Sequence, residues 1–312
     1  MKSSLVSAAV TLLTGPIIRH ALQALGSVDV PNHRSSHSVP VVRGGGIACV
    51  LGAGAGLLIA HEQVPRGTAL TAGGLALLGL VDDQSGGLSP VSRLMIQALA
   101  GVIAGGHQGV GVATLGAIAL PGVVNVVNFM DGINGITGST AAVWGLLTAL
   151  DANASATVRV LGSVTAGAGL GFLPHNLPTA SMFLGDVGSY FIGSLMGAAL
   201  IDALPNFTTT MRVGSPLLAY AADSTQALWR RSRRGEPLFE AHRGHVYQRL
   251  VDEHSLSHTT VSAIHAVTAL VVGLAARSQS PTVRVLGTGA VLATYVGSPE
   301  ILGLLHRVRG RS

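Results

Sequence analysis

Apolar residues run through this chain in blocks, and short polar stretches separate them. Windowing the blocks gives about eleven candidate spans. They lie at residues 4–25, 47–60, 68–81, 91–105, 110–127, 138–150, 156–173, 188–204, 213–228, 258–276 and 283–304. Several are short of the roughly 20 residues a helix needs to cross a bilayer. The connections alternate in character. Those at 26–46, 82–90, 128–137, 174–187 and 229–257 are long and polar, whereas those at 61–67, 106–109, 151–155, 205–212 and 277–281 are short. If each block crosses a membrane, every connection with unusual chemistry lies on one face. The pattern predicts an all-α polytopic transmembrane bundle of about 10–11 spans. No repeat interrupts it and no polar stretch is long enough to fold alone, so residues 1–312 read as one integral membrane domain.

Composition strengthens this reading. Hydrophobic residues make up 48% of the chain and charged residues 11%, against about 25% charged in a soluble domain. Mean hydropathy is +0.53. The 42 glycines suit helices that approach closely in lipid. The block at 4–25 is too long for a signal peptide and lacks a clear cleavage site, so it reads as a first span. Cys49 has no partner for an internal disulfide.

Charge adds an orientation. Lys and Arg number 19 against 14 acids. A basic balance is compatible with nucleic acid, but arginines clustered in short loops fit the positive-inside rule instead. The polar-loop face carries Arg34, Arg43, Arg230, Arg231, Arg233, Arg234, Arg243, Arg249, Arg307, Arg309 and Arg311. The other carries Lys2, Arg66, Arg159, Arg212, Arg277 and Arg284. The chemical face is therefore expected to be cytoplasmic, with the N-terminus outside and the C-terminus inside.

The richest chemistry lies at residues 125–139, between two apolar blocks. Asn125, Asn128 and Asp131 recur every three residues and are expected on one helix face. Gly132, Gly135 and Gly138 are expected to break the helix and let backbone N–H groups approach a ligand. Asn134 adds another amide. A capped surface turn would account for some of this, but polar clusters at membrane depth are costly and usually functional.

Four further loops contribute. Residues 30–46 combine Arg34, His37 and Arg43 with Gly44-Gly45-Gly46, whose free amides at a helix start would suit an anion. A Pro- and Gly-rich linker explains much of the same stretch. Asp82 and Asp83 end an apolar block side by side, where like charges and lost hydration call for a cation; hard oxygen ligands favour Mg²⁺, or Mn²⁺. Ser89 and Pro90 read as the cap and first position of the next helix. Asp186, flanked by glycines at a helix start, reads as an N-cap. His242-Arg243-Gly-His245 places a fork-shaped cation between imidazoles, as a diphosphate would require. A zinc pair is the other reading of those histidines, though without Cys ligands. Asp223 is a further acid within a block. Carboxylates, phosphate-binding cations, amides and a lipid setting together point to transfer of a phosphate-linked group from a soluble donor to a lipid. An ion-coupled transporter or a lipid-binding protein is the rival class, and would scatter its acids near the bilayer midplane.

Five blocks in order carry a family resemblance: Pro31-Asn-x-Arg34 with His37, Pro40 and Arg43-Gly-Gly-Gly46; Asp82-Asp83 with Leu88-Ser-Pro90; Asn125-x-x-Asn128-x-x-Asp131-Gly-x-Asn134-Gly; Phe183-x-Gly185-Asp186-x-Gly188-Ser189; and His242-Arg243-x-His245-x-Tyr-Gln. Across nearly its whole length the chain resembles the polyprenyl-phosphate N-acetylhexosamine-1-phosphate transferases. The last block is similar to the O-antigen-initiating branch and lacks the three-histidine run of the peptidoglycan enzyme. The resemblance implies Mg²⁺-dependent attack of undecaprenyl phosphate on a UDP-N-acetylhexosamine at the cytoplasmic face of a bacterial inner membrane. It implies Asp186 as the direct metal ligand, with Asn128 beside it. Asp82 and Asp83 would orient the metal or accept the lipid phosphate proton. Asn128, Asp131 and Asn134 would hold nucleotide and metal, Asn125 belonging to the same amide set. Arg34, His37 and Arg43 would contact phosphate, and His242, Arg243 and His245 the diphosphate and sugar. A homodimer is compatible with this reading, and nucleic acid is not a partner in it.

Overall fold

The computed structural model describes residues 2–31, 39–85, 87–237 and 243–309. Arg34, His37 and His242 lie outside them. Among the described residues the chain forms fourteen α-helices: α1 (Lys2–Ala24), α2 (Gly46–Ile59), α3 (Arg66–Ser85), α4 (Pro90–Gly105), α5 (Val110–Met130), α6 (Ile136–Ala149), α7 (Ala156–Asn176), α8 (Gly185–Ala203), α9 (Phe207–Gly214), α10 (Leu218–Arg233), α11 (Val246–Asp252), α12 (His258–Ala275), α13 (Thr288–Val296) and α14 (Ser298–Arg309). Three short strands, β1 (Val28–Asp29), β2 (Val41–Arg43) and β3 (Met182–Phe183), make a small sheet that the periodicity did not predict. β2 is antiparallel to β1 and parallel to β3, with Arg43 opposite Phe183.

Four helices, α1, α5, α7 and α12, have the length and hydropathy to cross a membrane. The α13–α14 region adds a fifth if its two parts, bent by 58°, form one span. The single block expected at 283–304 thus breaks at Gly297. The block expected at 213–228 is likewise divided, between α9, a 3₁₀ turn at Ser215–Leu217 and α10. Pro216 removes an amide from that turn and favours the interruption. The helices α2 and α6 are 14 residues long, about 21 Å at 1.5 Å per residue. They fall short of a ~30 Å hydrocarbon layer and pack on α7.

Small residues set this packing. The buried face of α1 is Ser3, Ser7, Thr11 and Gly15, at four-residue spacing, while Leu5, Leu13 and Ile17 face outward. Ser7 donates to the Val164 carbonyl at 2.8 Å. In lipid, where apolar surface gains little from burial, such close backbone approach supplies the attraction. α7 and α8 lie at the centre, almost all of α8 being buried.

The connections gather at two ends, as their alternation predicts. One end holds β2 and the facing termini of α3, α5 and α8. The other holds Asp151, which faces Arg212 at 3.4 Å and Arg277 at 3.5 Å, and Asp202, which meets His107, Gln108 and Ser155.

Candidate active site

Adjacent residues on a helix point about 100° apart, so Asp82 and Asp83 serve different neighbours. Asp82 is buried and accepts from the Leu88 amide at 2.6 Å, the Arg93 guanidinium at 3.0 Å and the Tyr190 hydroxyl at 2.7 Å. These bonds tie α3 to α4 and α8. Ser89 caps α4 through the Ser92 amide at 3.1 Å, with Pro90 at the first position, as the sequence indicates.

Asp83 accepts the Asp186 and Val187 amides, each at 3.0 Å, and the Arg43 Nε at 2.7 Å. The residue preceding α8, Leu184, brings no polar side chain, so Asp83 supplies the cap from another helix. An anion there also complements the positive end of α8. Asp186 is thereby held in the first turn of α8. Its Oδ1 accepts from Asn128 Nδ2 at 2.9 Å, and its Oδ2 meets the Arg43 guanidinium at 3.2 Å. Asn128 also donates to Ser189 Oγ at 3.0 Å. Burial opposes the charge on Arg43, but Asp186, Asp83 and Asp29 outweigh it and hold the guanidinium above its ordinary range. Asp131, half-buried just past α5, is pushed up to about 7, mainly by burial and further by the Asp186 and Asp83 charges. An excess of carboxylates over cations therefore surrounds Asn128.

The chain thus brings Arg43, Asp83, Asn128, Asp131 and Asp186 together. Other expected site residues are placed elsewhere. Asn125 does not continue the stripe to Asp186: its amide donates to Gln97 Oε1 on α4 at 2.6 Å, one turn deeper. Asn134 donates to the Pro178 carbonyl at 3.2 Å, bracing the following turn. Gly138 lies inside α6, where it packs on α7 instead of breaking the helix. The Gly45 and Gly46 amides donate to the Phe183 and Leu184 carbonyls at 2.8 Å, so the anion cradle expected there is spent on joining β2 to β3. Arg243 pairs with Asp252 at 3.3 Å. His245 is buried against Asp223, 2.8 Å away. Gln97 and Tyr190 were not anticipated; each is an ordinary helix residue whose partner lies on another helix. Below the polar group, α5, the Ser215–Leu217 turn and α10 border an open apolar pocket of about 270 Å³ lined by Val123, Val126, Val127, Leu217 and Tyr220.

Fold and site define a multi-pass membrane protein with a polar, acid-rich centre at one end of its bundle. Residues 66–204 match the model of glycosyl transferase family 4. The chain is 27% identical to the decaprenyl-phosphate N-acetylglucosaminephosphotransferase of Mycolicibacterium smegmatis, over 97% of this chain and 88% of that one. It is 31% identical to the protein of the same name from Mycobacterium tuberculosis, over 76% of this chain and 72% of that one. It is 27% identical to the "Probable undecaprenyl-phosphate N-acetylglucosaminyl 1-phosphate transferase" of Bacillus subtilis, over 81% and 77%. The chain belongs to the polyprenyl-phosphate N-acetylhexosamine-1-phosphate transferase family, and is a membrane enzyme of that type.

Proposed function

We propose that this protein transfers an N-acetylhexosamine-1-phosphate from a UDP-sugar to undecaprenyl phosphate, initiating a cell-surface polysaccharide. The convergence of Arg43, Asn128, Asp131 and Asp186 from three separate segments, β2, the end of α5 and the start of α8, carries this reading. An oxygen of the lipid phosphate attacks the β-phosphorus of the donor. The bond from that phosphorus to the bridging oxygen breaks, and UMP leaves with the oxygen. Arg43 would neutralise diphosphate charge, and the open apolar pocket on α5 and α10 would take the lipid chain beside the polar centre.

The donor set fits magnesium. Among the described residues no three His, Cys, Asp or Glu side chains group as a metal cage, but Mg²⁺ takes one or two carboxylates and completes its shell with phosphates and water. Asp186, with the Asn128 side-chain oxygen once that amide is turned, would hold it; Asp131 supplies further negative charge. When bound, the ion neutralises charge on the diphosphate. Asp83 is occupied by the α8 amides, which leaves it a supporting role.

Purified protein given undecaprenyl phosphate, Mg²⁺ and a panel of UDP-N-acetylhexosamines is expected to release UMP with at least one donor. Release with none of them, from folded protein, would overturn the reading. We place the site at the cytoplasmic face of a bacterial inner membrane, on the arginine bias. A cysteine at Ser232, with Cys49 replaced, is then expected to react with an impermeant thiol reagent only from the cytoplasm. One at Ser155 should react only from outside. Labelling of both from the same side would refute the topology.

A further inference from the structure

The end of the bundle away from the polar centre holds an open pocket of about 380 Å³. The starts of α1 and α7, the ends of α2 and α6 and the 3₁₀ turn at His61–Gln63 meet around it. Its place is fixed by Ser155, which caps α7 and also bonds Asp202 of the far charged group at 2.6 Å. Small side chains leave the space: Ser3 and Ser163 are buried in its wall, and Ala156 adds little bulk at the first turn of α7.

The charge in this pocket has one sign. Lys2 on α1 and Arg159 on α7 both line it, and no acid does. The carboxylates nearest in the fold are engaged elsewhere, Asp151 by Arg212 and Arg277, and Asp202 by His107 and Ser155. Among the described residues neither Lys2 nor Arg159 is paired with an acid. A cleft lined by one sign of charge concentrates the opposite ion. The positive ends of two helices, α1 and α7, add to the same field, and the Gln63 amide is a further lining donor. Cations reaching in from two helices suit an anion with several oxygens, as a phosphate has. The border of the pocket is apolar: Ile59 lines it, and Leu58 and Leu5, the latter one turn along α1 from Lys2, are exposed. A phosphate that carries an acyl chain would find room for both parts.

We propose that this pocket binds a phosphate-bearing anion, either a phospholipid headgroup or a free phosphate, at a site separate from the transfer centre. Two probes are offered separately to the purified full-length protein in detergent. Phosphatidylglycerol is counted by native mass spectrometry, and inorganic phosphate is read from the shift of the unfolding midpoint. Lys2→Gln combined with Arg159→Gln is expected to weaken binding by at least about tenfold, since each cation at a membrane surface contributes roughly fivefold. Both side chains are exposed, so the variant should fold. Arg66→Gln combined with Arg284→Gln removes the same charge from residues that do not line the pocket, and should retain binding. Ala156→Leu narrows the pocket at unchanged charge and should weaken binding too. A signal from phosphatidylglycerol that depends on Lys2 and Arg159 assigns the site to a lipid headgroup; such a signal from inorganic phosphate alone assigns it to a soluble ion. Binding of neither probe, or equal loss in the Arg66 and Arg284 variant, would overturn the proposal. Neither readout needs a sugar donor, so failure here is distinct from failure of the transfer assay.

Discussion

Asp186→Asn is expected to abolish transfer while the protein still folds. Asparagine keeps the shape of the side chain, and its oxygen can still accept from Asn128 or Arg43. The charge that anchors a divalent ion beside the diphosphate is lost. Interactions that neutralise charge in a transition state are worth several kcal/mol, so UMP release should fall roughly 10² to 10³-fold. Thermal unfolding in detergent should shift by only a few degrees, on the order expected for one partly exposed hydrogen-bonding group. Turnover near the wild-type rate in chelator-treated membranes would refute the metal assignment.

Gly46→Ala is expected to damage fold and activity together. A Cβ at Gly46 would collide with the Gly188 Cα and lie 2.7 Å from the Leu184 carbonyl oxygen. These neighbours are backbone, so α2 and α8 must separate. Overpacking of this kind costs about 1–3 kcal/mol, visible as a lower unfolding midpoint. Because β2 runs directly into α2, the same movement withdraws Arg43 from Asp83 and Asp186. Activity per folded molecule should therefore fall as well. Gly54→Ala is the internal comparison: the same helix has open space there, so alanine should be neutral or stabilising by up to about 1 kcal/mol. Equal stability of the two variants would contradict the close crossing of α2 and α8.

The helical class, the alternation of the two ends and the main polar centre were legible because they depend on local pattern. Hydrophobic blocks report burial in lipid, and Asn128, Asp131 and Asp186 mark block ends. The pairings were not legible. Nothing along the chain shows that Asp83 caps a helix beginning a hundred residues later, or that Asp82 is closed by Arg93 and Tyr190. Asn125 obeys the same spacing as Asn128, yet a rotation along α5 turns it to Gln97. The Gly45 and Gly46 amides looked available until a strand of two residues, too short for a periodic signal, and the residue after it claimed them. Asp223 stood out as an acid in an apolar block, but its donors, His245, Val246, Tyr247 and Tyr295, come from two other segments. Polar groups in a bundle are satisfied across helices, and sequence spacing does not encode which helices meet.

The charged group at the far end has a consequence for biosynthesis. Asp151 precedes α7, Arg212 lies on α9 and Arg277 follows α12. A ribosome delivers these three groups in that order, separated by much of the chain. A buried acid deprived of a partner is strongly unfavourable, and Asp151 meets its first cation only when α9 is made and its second, Arg277, only after α12. Helices α6 and α7 can therefore insert early but cannot lock at this end. The contacts that close this end of the bundle are therefore the last to be complete in the order of synthesis, since one of them needs residue 277.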